Sequence, residues 1–304
     1  MAVGNKVRHL GMKKIVVGAV EITRVEESLA PSFEPAFLFP EWRPEYLERY
    51  GWMEPHFYDR GSGKFMSSIH SWVIRTKHHL IVVDTCAGND KSRPSFERFN
   101  MLRSPYLERL QSAGIRPEDV THVLCTHLHL DHVGWNTRLL DGRWVPTFPQ
   151  AKYILSRREC EFWDTRSGEG GKLPINDNVF EDSVRPILDA GLAELIDPPF
   201  QLTDELTIEA APGHSPGHCI LVLRSGGETA IFSADTMHQP VQIYEPHLNS
   251  RFCADPELAR QSRQAVLEQC ACANGVLLPA HFGRPHVGRI SERAGRFAFS
   301  CDKV

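Results

Sequence analysis

Four side chains able to bind a metal stand within six residues of one another, His127, His129, Asp131 and His132, in the run Cys125-Thr126-His127-Leu128-His129-Leu130-Asp131-His132-Val133-Gly134. In extended backbone, residues two apart project to the same side, so His127 and His129 can converge on one ion. Asp131 and His132 are adjacent and need a turn to bring both inward; Gly134 stands where such a turn would end. Three neutral imidazoles and a carboxylate suit zinc, and nitrogen–oxygen sets of this kind also take iron, manganese or cobalt. A single histidine is more often an exposed loop residue or a satisfied core group than a ligand. Four ligand-competent groups in one short loop at a strand end are poorly explained that way.

Three more candidates follow apolar strands: His214 in AAPGHSPGH (210–218), Asp235 in IFSADTMH (231–238) and His281 in LLPAHFG (277–283). Each is flanked by Gly, Pro or Ala, which let backbone approach a buried ion closely. His218 reads either as a group supporting this turn or as a strand-start histidine packed against backbone. His9, His78, His79 and His122 lack such contexts and read as surface or structural residues. Cys270 and Cys272 form a lone C-x-C within a helical run, without the second half of a zinc site.

The elements that must carry these residues can be read from local patterns. β-Branched runs predict strands at 13–27, 70–76, 80–85, 121–127, 152–156, 205–211, 218–225, 228–234 and 275–280. Helical spacing predicts helices at 106–115, 157–164, 178–191 and 255–273. Residues 31–68 interleave prolines with aromatics and show no long period, which predicts an ordered excursion. Two β-rich halves with helices after strands imply a layered α/β architecture, with sheets packed face to face and helices outside. One domain over 1–304 is the simplest division, with 31–68 as a lid or a pocket-forming insertion.

The charge balance, 34 basic against 38 acidic residues spread along the chain, gives no electrostatic footprint for nucleic acid or an anionic membrane. The expected partner is a small molecule. The N-terminal segment lacks a signal-peptide pattern, and no segment approaches the roughly 18 apolar residues of a membrane span. A cytoplasmic location is expected. Eight cysteines in 304 residues are too sparse for a disulfide framework, so reduced, mostly buried thiols are expected.

In order and interval, the four metal-binding segments resemble the metallo-β-lactamase superfamily, and Val82-Val83-Asp84-Thr85 at a strand end resembles its first motif. The resemblance extends over roughly 70–285. It implies an αββα sandwich, two packed mixed β-sheets with helices on the outer faces. It also implies two divalent ions, zinc first among them. His127, His129 and His214 would hold one, Asp131, His132 and His281 the other, and Asp235 would bridge them. Asp84 would be structural or would support a ligand, and a homodimer is the expected assembly.

Two such ions about 3.5–4 Å apart can hold a hydroxide, polarise a carbonyl or phosphoryl oxygen and stabilise the leaving oxygen. Asp131 is placed to orient that hydroxide. Asp235 stands where many class B β-lactamases have Cys, and His129 where flavodiiron proteins have Glu. An acidic chain without a basic arm also resembles tRNA-processing members poorly. The resemblance is nearer to the lactonase and organophosphate-hydrolase branch, including quorum-quenching lactonases, through His132-Val133-Gly134-Trp135-Asn136 and Asp235-Thr236-Met237-His238-Gln239-Pro240-Val241-Gln242.

Acyl-homoserine-lactone lactonases commonly carry Tyr three residues beyond the bridging Asp. Here that residue is His238, as in methyl-parathion-hydrolase-like members. His238 reads either as a catalytic donor to a carbonyl or leaving-group oxygen, or as a packing residue. Trp135, Phe282, Tyr244, Phe37, Trp42, Trp52 and Phe57 are candidates for an apolar pocket, with core packing the alternative for each. The expected function is a two-metal lactonase or related ester hydrolase. A phosphotriesterase-like hydrolase is the alternative, and a mononuclear-iron enzyme resembling persulfide dioxygenases is a further one, using His127, His129 and Asp235. A non-catalytic interaction protein leaves seven ligand-competent residues unexplained.

Overall fold

The β-branched run after Lys14 folds into β1 (Ile15–Val17) and β2 (Val20–Pro31), reversing at Gly18, whose φ of +56° glycine adopts without steric cost. The structure is a computed structural model and describes residues 14–173 and 176–301; His9 lies outside them. The chain continues through α1 (Pro35–Leu38), α2 (Glu45–Arg49), β3 (Tyr58–Asp59), β4 (Lys64–Arg75), β5 (Leu80–Val83), α3 (Tyr106–Ser112) and β6 (His122–Cys125). A hairpin follows, β7 (Thr137–Leu140) and β8 (Arg143–Pro146), then β9 (Lys152–Ser156) and α4 (Arg157–Trp163). A widened π-type turn at Phe180–Val184 leads into α5 (Arg185–Asp189) and β10 (Ala193–Ile196).

The second half comprises β11 (Phe200–Gln201), β12 (Leu206–Ala210), β13 (Cys219–Ser225), β14 (Glu228–Ala234), α6 (Val241–Tyr244), α7 (Pro256–Cys272), β15 (Val276–Pro279), β16 (Gly288–Arg293) and β17 (Arg296–Ser300).

Two mixed sheets result. One has the order β1-β2-β4-β5-β6-β9-β10 with β3 paired to β4, and the other runs β11 through β17 in sequence order. The pairs β5–β6, β6–β9, β9–β10 and β14–β15 are parallel, and the remaining pairs antiparallel. Alternation along buried strands explains the layering. Ile81 and Val83 pack with Leu221, Leu223 and Phe232 between the sheets, whereas Val82 faces Tyr106, Leu110 and Ile187 on the helical side. Likewise Ile220 and Val222 of β13 pack against Val266 and Leu267 of α7. The expected αββα sandwich is what forms.

Residues 31–68 are ordered, but β4 begins inside them at Lys64, so the excursion is shorter than its composition suggests. The rest of it packs on the second sheet: Leu38, Phe39, Tyr46, Met53, Phe57 and Phe65 share one core cluster with Val266 and Leu267. The hairpins β7–β8 and β16–β17, with β10 and α6, were not expected from local patterns.

Candidate metal centre

The loops leaving β6, β12, β14 and β15 meet at one edge of the sandwich and bring all seven predicted ligands together. His127, His129, His132, His214, Asp235 and His281 are buried; the Asp131 side chain keeps 19% of its exposure, the most open of the set. Asp235 organises the cluster. Its Oδ2 lies 3.3 Å from His214 Nε2 and 3.9 Å from His127 Nε2, while its Oδ1 lies 3.0 Å from His281 Nε2 and 3.4 Å from His132 Nε2. One carboxylate thus faces two separate groups of imidazoles. His129 joins the first, with Nδ1 3.0 Å from His214 Nε2. Asp131 joins the second, 3.8 Å from both His132 Nε2 and His281 Nε2. His238, expected as a donor or a packing residue, also stands at ligand range, with Nε2 3.2 Å from Asp235 Oδ2.

The backbone that presents these groups is locally bent. A bulge between Phe232 and Ala234 interrupts the β14–β15 register, and Ala234 takes φ +44° immediately before Asp235. Bulges re-aim strand ends in this way, and a non-glycine residue at such a φ stores strain that the surroundings must hold. His218 supplies part of that hold. Its Nδ1 donates to the Ala211 carbonyl at 3.0 Å, and its Nε2 accepts from the Asp235 backbone N–H at 3.1 Å. His218 therefore supports the site by bonding backbone, which unites its two sequence readings. The guanidinium of Arg263 in α7 clamps the next turn, donating to the carbonyls of Thr236 and Pro246 and to Asn249.

Asp84 occupies a supporting position. It accepts from Thr126 N, Thr126 Oγ1 and His132 Nδ1 at 2.8–2.9 Å, so it orients His132 with Nε2 turned inward. His127 is fixed by Nδ1 against Thr126 Oγ1 and His281 by Nδ1 donating to the Ser68 carbonyl, both at 3.1 Å. Gly134 has a reason different from the turn anticipated for it: a Cβ there would lie 1.8 Å from the Ala87 carbonyl oxygen, so only glycine permits that backbone contact.

Two buried carboxylates escaped the sequence reading. Glu159 of α4 accepts from Leu128 N and Trp163 Nε1 through Oε2, and from Ser215 Oγ and Gly217 N through Oε1. It ties the first ligand loop to the His214 loop. Glu27 sits at a bulge in β2 and accepts from Ala87 N, Gly88 N, Ser104 Oγ and Trp135 Nε1. Burial raises both carboxyls above their ordinary range.

Burial lowers His127, His129 and His214 below the ordinary imidazole range, His129 to about 3, which keeps their lone pairs free for a cation. For His132, burial acts the same way, but Asp235, Asp84 and Asp131 outweigh it and raise the group. Among the described residues His127 Nε2 and Asp235 Oδ1 are buried without a hydrogen-bond partner. Each such atom costs about 1–3 kcal/mol. Cations seated between the imidazoles and the carboxylates would satisfy both, and the nitrogen–oxygen donor set is one that zinc and related divalent ions accept.

A cleft of about 540 Å³ opens onto Asp131, His214, Asp235, His238 and His281. Its apolar wall is Phe33, Leu38, Phe96, Phe99 and Phe252, not the seven aromatics considered from sequence. Of those, Trp135 stacks on Tyr106 at 5.4 Å, while Phe57 and Phe282 are core residues and Trp42 and Tyr244 pack against that core. Phe37 stands behind the wall, against Phe33 at 5.4 Å and Phe252 at 6.4 Å between rings, and Trp52 lies against Tyr244. The cysteines are all free, with Cys270 buried and Cys272 exposed, and no helix among the described residues is long and apolar enough to cross a membrane.

Residues 66–281 match the family model described as the metallo-beta-lactamase superfamily. The chain is 33% identical over 117 residues to the N-acyl homoserine lactonase AttM of Azorhizobium caulinodans, covering 38% of this chain and 40% of that one. It is 29% identical to metallo-beta-lactamase domain-containing protein 1 of Xenopus laevis, over 59% of this chain and 61% of the other. The matched stretches thus span about two to three fifths of these relatives' lengths. Among solved structures, AidC, described as a dizinc quorum-quenching lactonase in complex with a product, superposes with a TM-score of 0.76 at 23% identity, over 97% of this chain and 98% of that one.

Proposed function

The chain belongs to the metallo-β-lactamase superfamily, and on that footing we propose that it is a two-metal hydrolase of carboxylic esters, of the lactonase type. The observation that carries the reading is Asp235, whose two oxygens face two separate groups of imidazoles. His127, His129 and His214 would hold one ion, and Asp131, His132 and His281 the other, with Asp235 shared. Zinc is the metal proposed. The lactonases among its relatives support the substrate class.

When bound, the ions would supply Lewis acidity and water with a pKa near 7. The chain's own groups do the rest. Asp131 opens onto the cleft, where its carboxylate can orient incoming water and take up a proton. His238 lines the cleft, and its buried Nδ1 lacks a hydrogen-bond partner; its imidazole can donate to oxygen as negative charge develops on the ester. Leu38 and the phenylalanines exclude water from the acyl group. Residues 31–68 contribute Phe33 and Leu38 to that wall, and we read them as a pocket-forming insertion within one domain.

Lactones, aryl esters and phosphotriesters assayed on zinc-loaded protein test the reading. Preferential turnover of lactones or aryl esters is expected. Turnover of phosphotriesters alone, or one iron per chain with oxygen uptake, would overturn it.

A further inference from the structure

Arg98 is a cation in the cleft wall with no hydrogen-bond or ion-pair partner among the described residues. Its guanidinium carbon stands over the rings of Phe33 and Phe99, 6.0 and 5.1 Å from their centroids. It lines the same cleft as Asp131 and His238. Its Nη2 is buried with no hydrogen-bond partner, and no ion pair to Arg98 is present among the described residues. The neighbouring Arg93, by contrast, is paired bidentately with Asp182. A buried, unpaired charge costs free energy unless something supplies the missing acceptors, and a guanidinium fork matches a carboxylate.

We propose that Arg98 is a specificity-determining residue that binds a carboxylate carried by the substrate away from the scissile ester. This rests on the ester-hydrolase reading and narrows it to amphiphilic esters or lactones with an apolar body and one permanent negative charge. The aromatic wall takes the apolar part. The ring contacts with Phe33 and Phe99 shield one edge of the guanidinium from water, which strengthens a charge-assisted bond formed inside the cleft. Asp131 is the acidic group whose charge reaches Arg98, but among the described residues it makes no hydrogen bond or ion pair with the guanidinium, which leaves Nη2 without an acceptor in the cleft that both residues line.

The test uses matched probes: the 4-nitrophenyl monoesters of succinate, glutarate and adipate, against the same compounds with the far carboxylate methylated. Both members of a pair break the same aryl ester bond and release the same nitrophenolate, leaving the dicarboxylate from one and its monomethyl ester from the other; the uncatalysed rate, which the free carboxylate raises by intramolecular attack, is measured without enzyme and subtracted for each probe. Zinc-loaded wild-type protein is expected to prefer the acid of at least one pair by about 10- to 100-fold in kcat/KM, mostly through KM. Arg98→Met should abolish that preference while leaving the methylated probes within about twofold. Arg98→Lys should restore part of it. Melting temperature supplies a readout free of catalysis: removing an unpaired buried charge should leave it unchanged or raise it, whereas a structural arginine would lower it. No preference for any acid in the wild type, or equal losses on both probes in Arg98→Met, would overturn the assignment while the methylated probes still report ester hydrolysis. Absence of turnover on every probe would instead strike at the ester-hydrolase reading itself.

Discussion

At single residues, the two halves of the cluster depend on one carboxylate. Asp235→Ala should therefore empty both metal positions, while Cys270→Ser, far from the ligands in α7, should leave metal content unchanged. Elemental analysis of the two variants decides, and two ions per chain retained without Asp235 would remove its bridging role. His238 separates chemistry from packing. If it donates to developing negative charge, His238→Ala should lower kcat by about 100-fold with metal content intact, and His238→Tyr should recover part of the loss. A folded, metallated Ala variant with wild-type kcat would make it a packing residue. The convergence of the seven candidate ligands was legible in the sequence because clustered His and Asp at strand ends have few other uses. His238 at ligand range was not, because spacing does not say how far a side chain turns toward its neighbour. Arg98 and the cleft phenylalanines were equally hidden, since they converge from segments far apart in the chain.

At the level of elements, the ligand loops are held by buried carboxylates on helices and bulges. Glu159 in α4 receives two donors on each oxygen, so even the isosteric amide must turn its NH2 toward two of them. Glu159→Gln should destabilise the fold by about 2–5 kcal/mol and loosen metal retention by both the His127 and the His214 loops. Denaturant unfolding with and without chelator would check this, and a variant with wild-type stability would show that the four bonds matter little. A single Glu within a helix gives no sign in sequence that its four donors arrive from elsewhere. The same limit hid β7–β8 and β16–β17, although Asp141-Gly142 is a hairpin signal that was there to be read. β10 was missed because half-buried edge strands alternate weakly. The buried strands β5, β13 and β14 were legible because their apolar runs are too short for helices and too β-branched for loops.

Across the whole molecule, two sheets close a dry core and bury the candidate ligands at one edge, so the protonation of these groups is linked to folding. In the metal-free chain, burial lowers His218 to about 4 and His129 to about 3, against about 6.5 when unfolded. Between pH 6.5 and 4 these two groups bind more protons in the unfolded chain than in the folded one, so their contribution to stability falls as pH falls, while His132 and His281, raised in the folded chain, contribute with the opposite sign. His218→Asn should flatten that slope by up to about 1.4 kcal/mol per pH unit, whatever it does to absolute stability; parallel slopes would mean that His218 does not stay neutral on folding. The layered architecture was readable from the alternation of strand and helix runs, whereas the cleft depends on the packing of 31–68 against the second sheet, which no local pattern specifies. The two-ion assignment itself is most directly measured by titrating zinc into metal-free protein while following ester hydrolysis and bound metal together. Activity should rise until two equivalents per chain are bound and then stop; full activity at one equivalent, or none at two, would contradict a shared site organised by Asp235.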